Sequence, residues 1–291
     1  MGLFNLNKCC IIVLGGLKMV KIVTDSSCDL PENVINELDI RMVSMNVDVD
    51  GVEYKERINL EPHEFWEKMR HAVNLPKTSQ PSPLEFEEEF LKIEKEGNTP
   101  LCITISSNLS GTYQSALMAS KMMKEEITIF DSLAGSLSHG VQVLKAARMA
   151  RDGANKEEIL EELTKYRKTV KIIIPLFTVE NIVKGGRLNK LQGGVVKLLN
   201  IKVIAEGIDG AVEVRKKVRG RKRFIEEISN IIQTLKPESY KILGITHVDN
   251  MEDAQRFKSE MEQLYDNEII INDMGPVMAT YAGEKGLILA L

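Results

Sequence analysis

Three short apolar runs, residues 20–24, 101–105 and 127–130, each stop at a loop of small polar residues, and a helical pattern follows each loop. Strands that alternate with helices lie in parallel, because each crossover helix returns the chain to the same edge of the sheet, and helices then cover both faces. Such sheets bind ligands beyond the carboxyl ends of their strands. The loops Asp25-Ser26-Ser27, Ser106-Ser107-Asn108-Leu109-Ser110-Gly111-Thr112 and the one after Phe130 therefore share one functional edge. In the middle loop a small-residue turn feeds a helix from Tyr113, which leaves unpaired backbone N–H groups at the positive end of a helix dipole. Carboxylates and phosphates bind there. A second hydroxyl-rich loop, Thr78-Ser79-Gln80-Pro81-Ser82, precedes a helix that Ser82 caps and Pro83 starts. Neither loop has a strong general base beside it, so the pattern favours anion binding over catalysis.

The remaining elements follow from punctuation and periodicity. Pro31 starts a helix to Leu38, and residues 42–49 and 52–54 form strands about an Asp50-Gly51 hairpin turn. Pro62 opens a helix through Val73; Phe86, Phe90 and Ile93 fall at helical spacing; further helices cover residues 136–151 and 155–168. The style changes near residue 169. There follow a strand at 170–175, a short helix at 179–183 and a tight turn at Lys184-Gly185-Gly186-Arg187-Leu188. A hairpin of 201–206 and 211–215 about Asp209-Gly210, helices at 224–235 and 251–265, and strands at 241–246, 268–271 and 287–290 complete the chain. The expected fold class is α/β in two domains. Residues 19–168 form a mostly parallel sheet flanked by helices, residues 169–291 a smaller α+β domain, and residues 1–18 an N-terminal extension, with the ligand between the domains.

Composition narrows the function class. Net charge is −4 with pI near 5.8, which argues against nucleic acid as a partner. Cys9, Cys10, Cys28 and Cys102 have no metal-ligand spacing with any histidine, so free thiols in a reducing, cytoplasmic setting are the simplest account. The apolar run at residues 9–17 is too short to span a bilayer, and stable membrane insertion is not expected. His63 and His71 read as surface residues of one helix, His139 as a helix residue near the site edge, and His247 as structural or at a pocket rim; no metal site is expected. The basic stretch Arg215-Lys216-Lys217-Val218-Arg219-Gly220-Arg221-Lys222-Arg223 stands out in an acidic chain, as a solvated hairpin arm or a docking surface.

Five motifs occur in the order found in the DegV family of fatty-acid-binding proteins. They are Val23-Thr24-Asp25-Ser26-Ser27-Cys28-Asp29-Leu30, Thr78-Ser79-Gln80-Pro81, Leu109-Ser110-Gly111-Thr112-Tyr113-Gln114-Ser115-Ala116, Lys184-Gly185-Gly186-Arg187 and Gly275-Pro276-Val277. The chain resembles that family from Met19 to its C-terminus. The resemblance implies one long-chain fatty acid in an apolar interdomain tunnel, with its carboxylate at a polar end, presented to a separate fatty acid kinase that makes an acyl phosphate. It implies no catalytic residue in this chain and no cofactor beyond the bound acid. Family carboxylate contacts fall on Thr78 and Ser110, and the family arginine on Arg187. The candidate ligand residues are these three with Gly111, Tyr281, Ser107 and Thr280. The family histidine near the carboxylate is Tyr281 here, which can donate one hydrogen bond but carries no positive charge.

Plainer and rival readings exist for the same residues. Ser110 and Thr112 can cap a helix, Thr78 can satisfy a turn, and Arg187 beside two glycines can close a helix C-terminus. A serine acyl-transfer enzyme using Ser110 or Ser107 would need a histidine and an acid that no motif supplies. A phosphate-ligand protein would use the same edge, but a Gly-rich fingerprint and a phosphate-loop lysine are both missing.

Overall fold

The first half of the chain runs β1 (Val20–Asp25), α1 (Glu32–Glu37), β2 (Arg41–Val43), β3 (Asn46–Val49), β4 (Val52–Lys55), α2 (Pro62–His71), β5 (Lys77–Ser79), α3 (Pro83–Lys95), β6 (Thr99–Thr104), α4 (Thr112–Ser120), β7 (Thr128–Asp131), α5 (Leu137–Arg151) and α6 (Lys156–Thr169). The second half runs β8 (Ile172–Leu176), α7 (Glu180–Lys184), β9 (Ile201–Ile208), β10 (Ala211–Arg219), α8 (Arg221–Thr234), β11 (Ile242–His247), α9 (Met251–Leu264), β12 (Glu268–Asp273), α10 (Pro276–Ala282) and β13 (Leu287–Ala290). This is a computed structural model that describes residues 18–125, 127–188, 201–235 and 241–291. The extension expected over residues 1–18 lies outside them, apart from Lys18.

The fold is mixed α/β, with a parallel sheet flanked by helices and a separate, mostly antiparallel sheet. The parallel sheet has the order β2-β1-β6-β7. Phe86, Phe90 and Ile93 of α3, with Ala116 and Ala119 of α4, cover one of its faces against Val23 and Cys102. The other face meets α5, which is buried nearly all round. The second sheet has the order β10-β9-β8-β13-β11-β12, antiparallel except for β11 with β12. Helices α8 and α9 cover one face of it through Phe224, Ile228, Phe257 and Met261. Helix α5 also packs on this sheet, since Leu137 and Val141 share a cluster with Ile22 and Ile103 on one side and Ile242 and Ala290 on the other. Burial on most of its sides is what two sheets demand of the helix between them, and the polar Ser138, His139 and Gln142 are buried with its apolar residues.

Two expectations about strands need correction. Residues 42–49 are not one strand: β2 joins the parallel sheet, whereas β3 enters a separate antiparallel sheet of order β4-β3-β5. The break occurs where Met45 N donates to Ser26 Oγ at 3.0 Å and Met45 O accepts from Glu56 N at 3.0 Å. Thr78 does not lie in a loop, because β5 pairs with β3 in the register Val47↔Thr78. Three polar residues give no apolar alternation, so sequence pattern has no purchase on such a strand. The hairpin turns agree with their signatures: Asp50 and Gly51 take φ of 50° and 88°, and Asp209 and Gly210 47° and 79°.

Two buried carboxylates stitch the layers together. Asp29 Oδ1 accepts from Gly275 N at 3.0 Å, and its Oδ2 accepts from Ser136 Oγ at 2.5 Å. Glu56 Oε1 accepts from Val277 N at 2.9 Å, and its Oε2 accepts from Ser26 Oγ at 2.5 Å. Gly275 and Val277 supply the leading N–H groups of α10, donors that no helix can satisfy internally. A Cβ at Gly275 would stand 2.5 Å from Glu56 Oε1 and 2.7 Å from Asp29 Oδ1, so only glycine admits both acids. His139 is likewise interior rather than at a site edge. Its Nε2 lies 3.0 Å from Thr24 Oγ1 and 3.2 Å from Ile103 O, and burial lowers its pKa. Cys28 and Cys102 are buried thiols whose pKa values burial raises, Cys28 to about 12.

Burial, then the charge of Glu56, pushes the Asp29 carboxyl up to about 7. Folded Asp29 thus holds a proton that the unfolded chain would release, so its contribution is full below the ordinary carboxylate range and is lost as pH rises towards about 7. Asp29→Asn keeps an acceptor for Gly275 N and turns an N–H group towards Ser136. The urea midpoint of the unaltered chain should fall more steeply between about pH 5 and pH 7 than that of Asp29→Asn. Equal slopes would mean that Asp29 holds no such proton.

Candidate functional site

A cavity with about 560 Å³ of non-atom space, part of it open to solvent, lies where β5, the β6–α4 loop, β8, the turn after α7 and α10 converge. Its walls are apolar: Met45, Ile105, Ile174, Leu176, Val277, Met278 and Ile288 contribute most of them. The polar side chains that reach it are Thr78, Ser110, Arg187 and Tyr281.

Each of the four is placed by a local reason. Thr78 is held on β5 by pairing with Val47. Ser110 precedes α4, where its hydroxyl lies 2.8 Å from Thr112 Oγ1 and accepts from Thr112 N at 3.3 Å. Tyr281 rides on α10, and its hydroxyl lies 2.6 Å from Thr78 Oγ1. Arg187 follows Gly186, whose φ of 76° turns the chain after α7. Its guanidinium stacks on the Tyr281 ring at 4.6 Å, donates from Nε to Leu109 O at 3.2 Å, and donates from Nη1 to Gly185 O at 2.6 Å. Two of its five N–H groups are thereby engaged. No carboxylate pairs with it among the described residues.

The other expected ligand residues lie elsewhere. Ser107 is exposed, and its N–H points to the Asp131 carboxylate at 3.3 Å. Thr280 is fully buried and gives its hydroxyl proton to Pro276 O at 2.8 Å, one helical turn back. Gly111 closes against Gln80 instead of facing the cavity, since a Cβ there would stand 2.6 Å from the Gln80 side chain. His247 is a buried structural residue that accepts from Asn250 N through Nδ1 at 3.3 Å.

Sequence reasoning missed the wall that α10 provides. That helix has only seven residues, and the signal available was Gly275 before Pro276, an N-terminal boundary pair. It also missed Met45, whose side chain lines the cavity where β2 gives way to β3.

Chemically, this is a hydrophobic slot with hydroxyl and guanidinium donors gathered on it. Ser110 has Thr112 as its hydroxyl partner, and neither a histidine nor an acid bonds it among the described residues. Gly185 makes room for the Tyr281 ring: a Cβ there would stand 2.5 Å from it. Gly185→Ala should therefore destabilise the fold by about 1–3 kcal/mol through overcrowding. Adding Tyr281→Ala should recover most of the loss, a non-additivity measurable in urea unfolding. Additive effects would show that the glycine does not set the ring's position.

Comparisons with known proteins bear on the same chain length. The profile of a family described as uncharacterised protein, DegV family, matches residues 19–290. A DegV domain-containing protein of Clostridium acetobutylicum is 35% identical over 272 residues, covering 92% of this chain and 96% of its own. Among solved structures, a DegV lipid binding protein from Thermotoga maritima superposes with a TM-score of 0.83 at 31% identity, covering 94% of this chain and 98% of its own. A DegV family protein from Thermus thermophilus, described by its fatty acid binding, gives 0.87 at 29% identity with the same coverage of 94% and 98%. DegV from Bacillus subtilis, described as a fatty acid binding protein, gives 0.85 at 28%, covering 94% and 99%.

Proposed function

The chain belongs to the DegV family, and from that premise we propose that it holds one long-chain fatty acid, carboxylate towards Thr78, Ser110, Arg187 and Tyr281, and presents it to a separate fatty acid kinase for acyl phosphate formation. The observation that carries the reading is the gathering of these four polar groups on one otherwise apolar cavity. A carboxylate leaving water needs several donors, since an unpaired buried charge is costly. Of the Thr78–Tyr281 pair one hydroxyl donates to the other, which leaves one O–H for the ligand. Ser110 and the Arg187 N–H groups that are not engaged among the described residues add the rest, and the guanidinium supplies the positive charge. The tail provides most of the affinity, about 0.8 kcal/mol per buried CH₂, or about 12 kcal/mol for roughly fifteen methylenes before ordering costs. In this reading the division at 168/169 separates the two halves that face the ligand, and the chain performs no chemistry of its own.

The kinase would dock on part of the basic stretch. Arg215 pairs with Glu206, Lys216 with Glu227 at 2.6 Å, Arg221 with Asp253 at 2.8 Å and Arg223 with Glu227 at 3.9 Å. Those charges are spent locally, so the docking charge is assigned to the exposed Lys217, Arg219 and Lys222, which have no ion pair among the described residues.

Organic extraction of the purified protein followed by mass spectrometry should yield a stoichiometric long-chain acid. Arg187→Ala should weaken rebinding by about tenfold to a hundredfold, the range of a lost charge-assisted hydrogen bond. A lipid-free protein that takes up neither oleate nor palmitate would sink the reading. Separately, neutralising Lys217, Arg219 and Lys222 should slow acyl phosphate formation at low salt, and the gap should close as salt screens the charges. An unchanged low-salt rate would remove the docking assignment alone.

A further inference from the structure

We infer that the tunnel does not end blind but continues along β8 to a second mouth, and that the Ile172–Gly207 pair at its narrowing governs how long an acid the protein encloses. The inference rests on the lipid reading above.

Three cavities share walls in sequence. The one carrying the polar groups is bounded on β8 by Leu176 and Ile174. The next, about 330 Å³, is bounded by Ile174 and Ile172 together with Gly207 and Leu133. The third, an open cleft of about 1430 Å³, begins at Ile172, Gly207 and Leu133 and is rimmed by Arg167, Lys171 and Arg215. Residues 172, 174 and 176 alternate along one strand, so they project from one face, and four residues of strand span roughly 13 Å. The tunnel floor is therefore a single strand face that runs from the polar groups to the cleft.

The passage narrows where Ile172 and Gly207 stand opposite each other in the β8–β9 pairing. A Cβ at Gly207 would lie 2.8 Å from Ile172 Cδ1, so the Ile172 side chain lies across the glycine and any larger residue at 207 would push it into the passage. The β9–β10 hairpin tip roofs it: Gly210 O accepts from Ser106 Oγ at 2.7 Å, and Asp209 O accepts from Asn108 Nδ2 at 2.8 Å. Beyond the pair the rim is charged, carrying Arg167, Lys171, Glu206 and Arg215. Methylenes that reach it exchange water for water, so they add no affinity and meet no wall.

The test is displacement of a fluorescent fatty acid from the full chain by saturated acids from dodecanoic to docosanoic. For the unaltered chain, affinity should climb by up to about fourfold per methylene and then level off for the longest acids. Gly207→Val and Ile172→Phe should each close the passage, leaving dodecanoic acid unaffected and weakening docosanoic acid by about tenfold or more. Two variants guard against a folding defect in either one. A sharp loss of affinity for docosanoic acid in the unaltered chain would mean a blind tunnel. Equal losses at every length in both variants would remove the narrowing from that role. A chain that binds none of the acids overturns the lipid reading itself, whereas the other failures leave that reading standing.

Discussion

The seating of α10 on two buried carboxylates is the constraint on which the site depends. Asp29 comes from the turn that follows β1, Glu56 from the turn after β4, and both end on backbone N–H groups of a seven-residue helix. A helix that short cannot hold itself in water. Its position is imposed by these bonds and by Trp66, whose Nε1 donates to Met274 O at 3.2 Å just ahead of it. Val277, Met278, Tyr281 and Ala282 of this helix then form one side of the cavity. Two acids meeting at one glycine would repel if both were charged, and the raised pKa of each is the physical sign that burial has been accepted to hold the helix.

Tyr281 makes two contacts at once at the polar side of the cavity. A histidine there could bring its own positive charge, whereas Tyr281 brings an aromatic face and a hydroxyl. The face carries Arg187 and the hydroxyl meets Thr78, so one residue ties two donors from distant parts of the chain. The cation is thereby concentrated on Arg187. Its fork is fixed by Leu109 O and Gly185 O, and fixing a flexible side chain before the ligand arrives removes an ordering cost from binding.

Much of this was legible in the sequence, for reasons that differ from element to element. Alternating apolar runs and helices gave the parallel sheet and its two covered faces, because burial on both sides forces continuous β-branched strands. Asp-Gly pairs located both hairpins, because few other residues accept positive φ at both turn positions. The resemblance led to Thr78, Ser110, Arg187 and Tyr281, which the fold brings onto one cavity. What escaped depends on contacts between distant residues. Nothing local to Glu56 or Asp29 says that they converge on Gly275, and a three-residue strand such as β5 has no period to detect. Ser107 and Thr280 look like ligand residues by type and proximity alone, yet the backbone turns one outward and the α10 ladder takes the hydroxyl of the other.

Helix α5 limits how the structure can admit a ligand. It is wedged between the two main sheets, with Gly140 against Cys28 O on one side and Leu137 against Gly244 on the other, and a Cβ at either glycine would collide. Ser136, at its start, joins Asp29 to Thr246 through hydrogen bonds of 2.5 and 2.7 Å. Swinging one sheet away from the other would expose that close-packed helix on one face and break a buried polar chain, each a loss of several kcal/mol. The elements that border the cavity without such ties are lighter. The Gly185-Gly186 turn bears Arg187, and the β9–β10 hairpin tip is held by two side-chain bonds to the Ser106–Asn108 loop. Displacing either exposes far less apolar surface than parting the sheets, so the energetically cheaper routes to the cavity lie at its two ends and not along the seam between the sheets.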